Sequence, residues 1–153
     1  MSEPPMPSKI PGISAAVRAR LHAARVARLA TLDAKRSPHL VPVCFVYYGS
    51  VFYSAIDRKP KRVAAEKLAR LEHIRSTPQV ALLIDHYDED WTLLWYILVR
   101  GKARLVPSWA RAERAQAIRK LRDKYPQYAA GMLGDDAPIL RITPGRVTAW
   151  GNL

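Results

Sequence analysis

The sequence predicts an α+β protein, mainly antiparallel β, in which the strands form a barrel flanked by two to three helices. Six or seven short segments are rich in β-branched and aromatic residues, and tight turns join several of them. Two or three segments of helical periodicity interrupt the strands. Because strands pair before any helix intervenes, a parallel, doubly wound sheet fits poorly.

The first half of the chain predicts one helix followed by three strands. Apolar residues at helical spacing open it. The strands are expected at 26–31, 39–48 and 51–55. Pro42, inside the second strand, implies an edge position or a bulge, because proline has no N–H to donate to a sheet. Gly49 and Ser50 predict a tight hairpin between the second and third strands.

The second half of the chain alternates helices with strands. Helices are expected at 61–75 and at 108–124, with Ser108 as the cap of the latter. Strands are expected at 80–84, 91–106, 139–142 and 147–150. Gly101 predicts a bulge in the longest of these strands. Residues 143–146, Thr-Pro-Gly-Arg, predict a turn between the last two.

Length and composition suggest the organisation and the compartment. A chain of 153 residues corresponds to one domain, and we expect a disordered proline-rich leader over residues 1–12 and a single domain over residues 13–153. No apolar run approaches the ~20 residues of a membrane span. The single cysteine, Cys44, excludes an internal disulfide framework. We therefore expect a cytoplasmic protein without a membrane partner.

The net charge of +12, from 25 basic and 13 acidic residues, raises the question of a polyanionic partner. The basic residues are spread along the whole chain, and arginine and alanine are both abundant, as a GC-rich genome also produces. Aromatic residues do not alternate with basic ones as in an RNA-binding sheet. Nucleic acid is therefore an improbable partner, and the charge gives weak support for an acidic ligand.

Residues 58–62, Arg-Lys-Pro-Lys-Arg, are the strongest candidate for ligand binding. Four cations in five positions follow a predicted strand and precede a predicted helix, where unpaired N–H groups and the helix dipole favour an anion. Ser54 lies just before them and offers a hydroxyl. This pattern predicts a phosphate site centred on Lys59 and Lys61, and the alternative is a solvated loop that contributes only solubility.

Other motifs point to a planar ligand and a second subunit more than to a metal. The acidic loop 85–90 lacks the glycine of a calcium loop, and no metal site is predicted. Residues 91–99 are apolar at nearly every position, so both faces should be buried, one of them against a partner; we infer a homodimer. Trp91 could cover a flat ring or pack in that interface. His39 is a possible ligand contact, or else an ordinary surface histidine.

In this order the motifs resemble the pyridoxamine 5'-phosphate oxidase-like split-barrel family, and within it the deazaflavin branch that uses coenzyme F-420. The resemblance rests on residues 25–31, 38–43, 53–61, 71–75, 78–85 and 88–91. It is strongest over 26–106, whereas the C-terminal third matches only in general layout. The turn at 35–37 lacks the glycine that this family commonly places there.

The resemblance implies a split β-barrel of the FMN-binding type and a homodimer with two cofactor sites at the subunit interface. In such a site Lys59 and Lys61 hold the cofactor phosphate, and Ser54 and Ala55 line its approach. Trp91, from either subunit, flanks the ring or tail. The backbone that faces the polar edge of the ring is expected at three consecutive residues, Val41, Pro42 and Val43.

The leading functional hypothesis is an oxidoreductase that transfers a hydride between coenzyme F-420 and a small-molecule acceptor. FMN is the alternative cofactor, in a flavin reductase or oxidase of the same fold. A second alternative is a protein that binds a flavin, a deazaflavin or haem and catalyses nothing, and a nucleic-acid binder is the weakest. No Ser/His/Asp set, Walker loop or GxGxxG motif is present. Catalytic residues stay unassigned, although His39, Tyr47 and Tyr53 lie close to the presumed site in sequence.

Overall fold

The computed structural model describes residues 13–56 and 64–153. The leader predicted over 1–12, and Lys59 and Lys61 of the cationic segment, lie outside these ranges. The α-helices described are α1 (Ala15–Ala23), α2 (Ala64–Ser76) and α3 (Arg111–Lys124). The strands described are β1 (Ala27–Leu32), β2 (Pro38–Val43), β3 (Val46–Tyr48), β4 (Val51–Ala55), β5 (Gln79–His86), β6 (Trp95–Leu105) and β7 (Ile139–Gly151).

The seven strands form one antiparallel sheet in the order β2-β1-β5-β6-β7-β4-β3. The sheet curls into a half-barrel flanked by the helices, so the predicted α+β split barrel is confirmed. β2 lies at one edge of the sheet, which explains why Pro42 is tolerated there. Of the helices that the structure describes, each is too short or too polar to cross a bilayer.

Alternation along the strands produces the core. Leu29, Leu82 and Ile97 occupy every-second-residue positions of β1, β5 and β6, and all three are fully buried. A second apolar cluster joins α3 to β4 and β7, with Leu121 and Ile139 at its centre. Burial of each such side chain contributes about 1.5 to 3 kcal/mol. Alternate residues of the strands therefore form the inner face of the sheet.

The strand expected at 39–48 is interrupted, which corrects the prediction. β2 ends at Val43 and β3 begins at Val46, with Cys44 and Phe45 between them. The phenolic oxygen of Tyr125, at the end of α3, accepts a hydrogen bond from the Phe45 N–H at 3.0 Å. Its single proton has two acceptors within reach, the Arg25 carbonyl at 2.9 Å and the Phe45 carbonyl at 3.1 Å. A side chain distant in sequence thus satisfies the Phe45 N–H, which a continuous strand would have paired.

Replacing Tyr125 by phenylalanine is expected to lower the free energy of unfolding by about 1 to 3 kcal/mol, because the Phe45 N–H loses its acceptor in a half-buried site. Burial raises the pKa of Tyr125 to about 12, so the hydroxyl stays neutral at physiological pH. Urea unfolding measures the effect. Tyr48→Phe, which alters a more exposed phenol, is the matched control and should change stability by less than about 0.5 kcal/mol.

Residues 91–93 form a 3-10 turn and not the start of β6, which corrects a second prediction. The Asp90 carboxylate caps this turn by accepting the Thr92 N–H at 3.0 Å. The hydrogen bond from the Thr92 hydroxyl, and next the one from the Thr92 N–H, lower the pKa of Asp90. β6 then begins at Trp95. The predicted cap of α3 was also wrong, since the helix begins at Arg111 and not at Ser108.

The two strands expected at the C-terminus are one continuous strand, β7, and the turn predicted at 143–146 does not form. The register between β6 and β7 shifts at Arg100 and Gly101, which confirms the predicted bulge. A Cβ at Gly101 would lie only 2.2 Å from the Thr143 carbonyl oxygen, so only glycine permits this approach. At the bulge β7 has one residue more than β6, and Pro144 lies opposite Gly101.

The outer face of the sheet is also largely apolar near its middle. Leu83 and Leu98 are paired across β5 and β6, and Tyr96 stacks on Trp150 with ring centroids 5.7 Å apart. Leu40, on the same face of edge strand β2, is 68% exposed. The inner face of β6 is buried, as predicted from its continuous apolar sequence. Its outer face is half-buried within one protomer, so burial against a partner stays a prediction.

Candidate functional site

Several strand ends converge at one end of the sheet. Because all pairings are antiparallel, the end of β1, the start of β2 and the end of β4 lie on the same side. The Ile56 N–H donates to the Pro138 carbonyl at 2.9 Å and fixes the chain as it leaves β4. The chain returns at Ala64 as α2, which packs against β1 and β6. The fold thus brings α2 to the sheet end from which the cationic segment departs.

A cavity of about 590 Å³ lies at this end, between edge strand β2 and α2. We call it the α2 cavity. It is lined by Thr31, His39, Leu40, Val41, Ala69, Arg70 and His73. The volume is within the range of about 300 to 1,000 Å³ that is typical of small-molecule sites. Apolar surface with a few convergent polar groups is typical of a site for a small organic ligand.

The turn before β2 positions His39. The Asp33 carboxylate accepts the backbone N–H groups of Lys35 and Ser37, each at 2.9 Å, and the Ser37 bond is the main reason that the pKa of Asp33 is lowered. Arg36 takes a positive φ of 64° at the position where a glycine would be expected. The other Asp33 oxygen lies 3.4 Å from His39 Nε2 and orients the imidazole.

Two histidines meet in the α2 cavity from different elements. The rings of His39, in β2, and His73, in α2, have their centroids 4.3 Å apart. His73 Nδ1 lies 3.4 Å from the hydroxyl of Thr31, a residue that is 3% exposed. The pair places two titratable rings side by side on one wall, anchored from behind by Asp33 and Thr31.

The predicted ring-facing residues of β2 divide between the two faces of the strand. His39 and Val41 line the α2 cavity, and the Val43 side chain is buried in the core. Pro42 lies between them in sequence, so it points to the outer face and is exposed. Since β2 is an edge strand, one side of its backbone is not paired within the sheet and can contact a ligand.

The other predicted residues lie around the barrel. Ser54 is buried, and its hydroxyl donates to the Cys44 carbonyl at 2.8 Å. Ala55 is buried at the end of β4, in the apolar cluster against α3. Trp91 is 72% exposed and follows the far end of β5. That end is about 20 Å from the α2 cavity at the rise of a β-strand, so Trp91 is distant from it within one protomer.

Two of the three side chains considered as proton donors lie elsewhere. The Tyr53 hydroxyl donates to Glu113 at 3.2 Å, and burial, followed by the charge of Glu113, raises the pKa of Tyr53. Tyr47 is buried and packs on Phe52 with ring centroids 4.9 Å apart. His39 is the one of the three that lines the α2 cavity.

Sequence reasoning missed the contribution of α2. Ala69, Arg70 and His73 line the α2 cavity, and the sequence signal for them is weak: residues 69 and 73 share a helical face. Thr31 was missed because it continues an ordinary strand pattern.

In the part of the chain that the structure describes, no three His, Cys, Asp or Glu side chains cluster as a metal ion would require.

Comparison with known proteins identifies the kind of domain. The family model described as pyridoxamine 5'-phosphate oxidase matches residues 13–151. No curated protein sequence matches the chain.

Solved structures share the fold at low sequence identity. The haem storage protein HutZ from Vibrio cholerae is 14% identical, with a TM-score of 0.68 and coverage of 92% of this chain and 94% of that one. The conserved hypothetical protein Rv2991 from Mycobacterium tuberculosis is 18% identical, with a TM-score of 0.68 and coverage of 94% and 88%. An FAD-binding protein from Mesorhizobium loti is 22% identical, with a TM-score of 0.64 and coverage of 90% and 94%.

Proposed function

We propose a redox-cofactor site in the α2 cavity of this chain, which belongs to the pyridoxamine 5'-phosphate oxidase family. The cofactor is coenzyme F-420, and the protein is an oxidoreductase that transfers a hydride between this deazaflavin and a small-molecule acceptor. The main support is one observation: β2 and α2 enclose the cavity at the sheet end where β4 leads toward Lys59 and Lys61. The single cysteine supports a cytoplasmic setting.

The lining of the α2 cavity fits a flat, partly polar ring. Leu40, Val41 and Ala69 provide apolar surface, while the edge-strand backbone of β2 offers hydrogen-bonding groups to a heterocycle. Arg70 adds a cation to the wall. The four cations at 58–62 exceed what one phosphate needs, which favours a deazaflavin with a phosphodiester and a glutamate tail over FMN.

The residues of this chain would bind and orient the cofactor and exclude water from it, while the bound cofactor supplies the hydride chemistry. Packing of α2 against β1 keeps the cavity wall in place. His39 and His73 can each hold a proton at a ring nitrogen beside the ligand, and the contacts with Asp33 and Thr31 fix their orientations.

The proposal includes a homodimer with the cofactor at the interface. The apolar outer face of β5 and β6 supports a second copy as the partner, because Leu83 and Leu98 lie at its centre and Leu40 extends it toward the α2 cavity. A partner on this face would bring its own surface to the exposed edge of β2. Trp91, which is distant from the cavity within one protomer, could then belong to the partner's site.

A side-by-side titration tests the cofactor assignment. Coenzyme F-420 should quench the tryptophan fluorescence of the protein at lower concentrations than FMN does. Micromolar binding of FMN without a response to F-420 would reverse the choice of cofactor. If F-420 binds, the reduced form should be oxidised by at least one member of a broad panel of electron-poor acceptors. Tight binding without any turnover would instead support a carrier.

Haem is a second candidate ligand, favoured by the two histidine rings 4.3 Å apart on one wall of the α2 cavity. Imidazole is a common axial ligand of haem iron. Haem binding through this wall should produce a Soret shift that His39→Ala with His73→Ala removes and that His86→Ala, outside the cavity, leaves intact. A Soret shift that survives the double substitution would place haem elsewhere.

A further inference from the structure

A second cavity lies against α3 and shares no lining residue with the α2 cavity. Its volume is about 430 Å³, and we call it the α3 cavity. It is lined by His22, Arg25, Val46, Tyr47, Tyr48, Lys120, Asp123 and Lys124. The three α3 residues lie on one helix face, because they are spaced by three and four positions. Residues at and after the end of α1 face them, and β3 supplies an aromatic wall.

The α3 cavity has an excess of positive charge. Three basic side chains, Arg25, Lys120 and Lys124, accompany one carboxylate, Asp123, which leaves two positive charges in excess while Lys124 is protonated. Within residues 13–56 and 64–153, none of the three cations forms an ion pair with an acidic side chain. Like charges in one cavity repel each other, so a bound anion would relieve the repulsion.

Aromatic rings and backbone carbonyls hold these cations in place. Lys124 Nζ lies 4.0 Å from the centroid of the Phe45 ring and donates to the Leu21 carbonyl at 3.3 Å. Lys120 Nζ lies 5.1 Å from the centroid of the Tyr48 ring. An ammonium group has three N–H donors, so Lys124 retains donors for a ligand.

The titration of Lys124 is consistent with a missing counter-charge. Burial, and next the charge of Arg25, lower the pKa of Lys124 to about 8. An anion in the cavity would act in the opposite direction and favour the protonated ammonium. Binding of an anion and protonation of Lys124 should therefore reinforce each other.

We propose that the α3 cavity binds a small phosphate monoester whose flat organic part lies against the aromatic wall of β3. A phosphate monoester carries a charge of about −2 at neutral pH, which matches the excess charge of the cavity. Its oxygens accept the forked donors of Arg25 and the ammonium groups of Lys120 and Lys124. Tyr48 offers a ring face to the organic part. The proposal does not depend on which cofactor occupies the α2 cavity.

The test uses phenyl phosphate as the probe, and isothermal titration calorimetry measures its binding to the protein. The full chain carries Lys59→Ala and Lys61→Ala, so that the predicted cofactor phosphate site does not compete. Phenyl phosphate should bind at least about tenfold more tightly than inorganic phosphate or benzoate. Adding Lys120→Gln and Lys124→Gln should weaken it by at least about tenfold, and Asp123→Asn should strengthen it by removing the opposing charge.

The control variant is Arg111→Gln with Arg119→Gln, which removes two exposed cations from α3 outside the cavity. Equal loss of affinity in the two α3 double variants would overturn the proposal, as would an absence of saturable binding below about 10 mM. If the Lys120/Lys124 variant does not fold, Lys120→Gln alone decides, because Lys120 contacts only the Tyr48 ring in the described residues, whereas Lys124 contacts two rings and a carbonyl. Succinate binding as tightly as phenyl phosphate would overturn the assignment to phosphate.

The pH dependence gives a readout that a purely structural role would not show. The Lys124 ammonium is present below about pH 8 and is lost above it, so affinity for phenyl phosphate should fall between pH 7 and about pH 9.5. The other titratable or charged groups that face or adjoin it are His22, Arg25, Cys44, Tyr47, Tyr48, Lys120, Asp123 and Tyr125. The decline should persist in Cys44→Ala and disappear in Lys124→Gln; the reverse pattern would contradict the role of Lys124.

Discussion

Replacing Lys59 and Lys61 together by alanine is expected to weaken the binding of coenzyme F-420 by about 2 to 4 kcal/mol, roughly 30- to 1,000-fold. Both cations belong to the segment that connects β4 to α2, and β4 ends on the side of the sheet where the α2 cavity opens. Loss of two charge-assisted contacts to the anionic part of the cofactor explains the size of the effect. Fluorescence titration of the double variant measures it.

The matched control for this prediction is Arg111→Ala with Arg119→Ala, which removes the same charge from exposed positions on α3. Its affinity for the cofactor should stay within about twofold of that of the unmodified chain, a difference of about 0.4 kcal/mol. Equal loss in both variants would attribute the effect to net charge, and unchanged affinity in the lysine variant would remove the phosphate assignment. Lys59→Arg with Lys61→Arg should retain most of the binding, because the charges persist.

Leu98→Arg is expected to convert the proposed homodimer into a monomer. Leu98 lies at the centre of the outer sheet face, paired with Leu83 on one side and Thr148 on the other. A guanidinium without a partner at the centre of an interface costs about 3 to 5 kcal/mol, so dimerisation should weaken by at least about 100-fold. Sedimentation equilibrium of both proteins at the same concentrations measures the change.

Met132→Arg is the control for the interface, because Met132 is a partly exposed apolar residue outside the sheet. It should leave the dimer intact. Circular dichroism should show that the Leu98→Arg monomer keeps its fold, since its new side chain can reach solvent. Two results would contradict the proposal: an unmodified chain that is monomeric at tens of micromolar, or a monomeric variant that binds the cofactor with unchanged affinity.

Much of the fold could be predicted because local chemistry agrees with the tertiary structure. The continuous apolar run at 91–99 predicted that the inner face of β6 is buried, and β-branched and aromatic residues predicted the strands. Gly49 and Ser50 both adopt positive φ values, 58° and 65°, as the predicted hairpin requires. Pro42 indicated an edge strand and Gly101 a bulge, since each residue type restricts what its backbone can pair with.

Other features depend on residues that are distant in sequence. The break between β2 and β3 depends on Tyr125, which lies 80 residues beyond Phe45. The continuity of β7 depends on the bulge at Gly101 opposite Pro144, although Pro144 and Gly145 are locally typical of a turn. In the candidate site, His39 was identifiable from its place at a strand start, but His73 was not. Its meeting with His39 requires α2 to pack across β1.

Local patterns of side chains and backbone preferences were enough to predict the antiparallel barrel and to find the cationic segment, because both depend on residues that are close together in the chain. Packing between elements brings β2 and α2 together around one cavity, places two histidines on its wall, and turns Arg25, Lys120 and Lys124 toward a second cavity. A cavity is the space left between elements that pack at their own distances and angles, and periodicity along one element carries no information about that space.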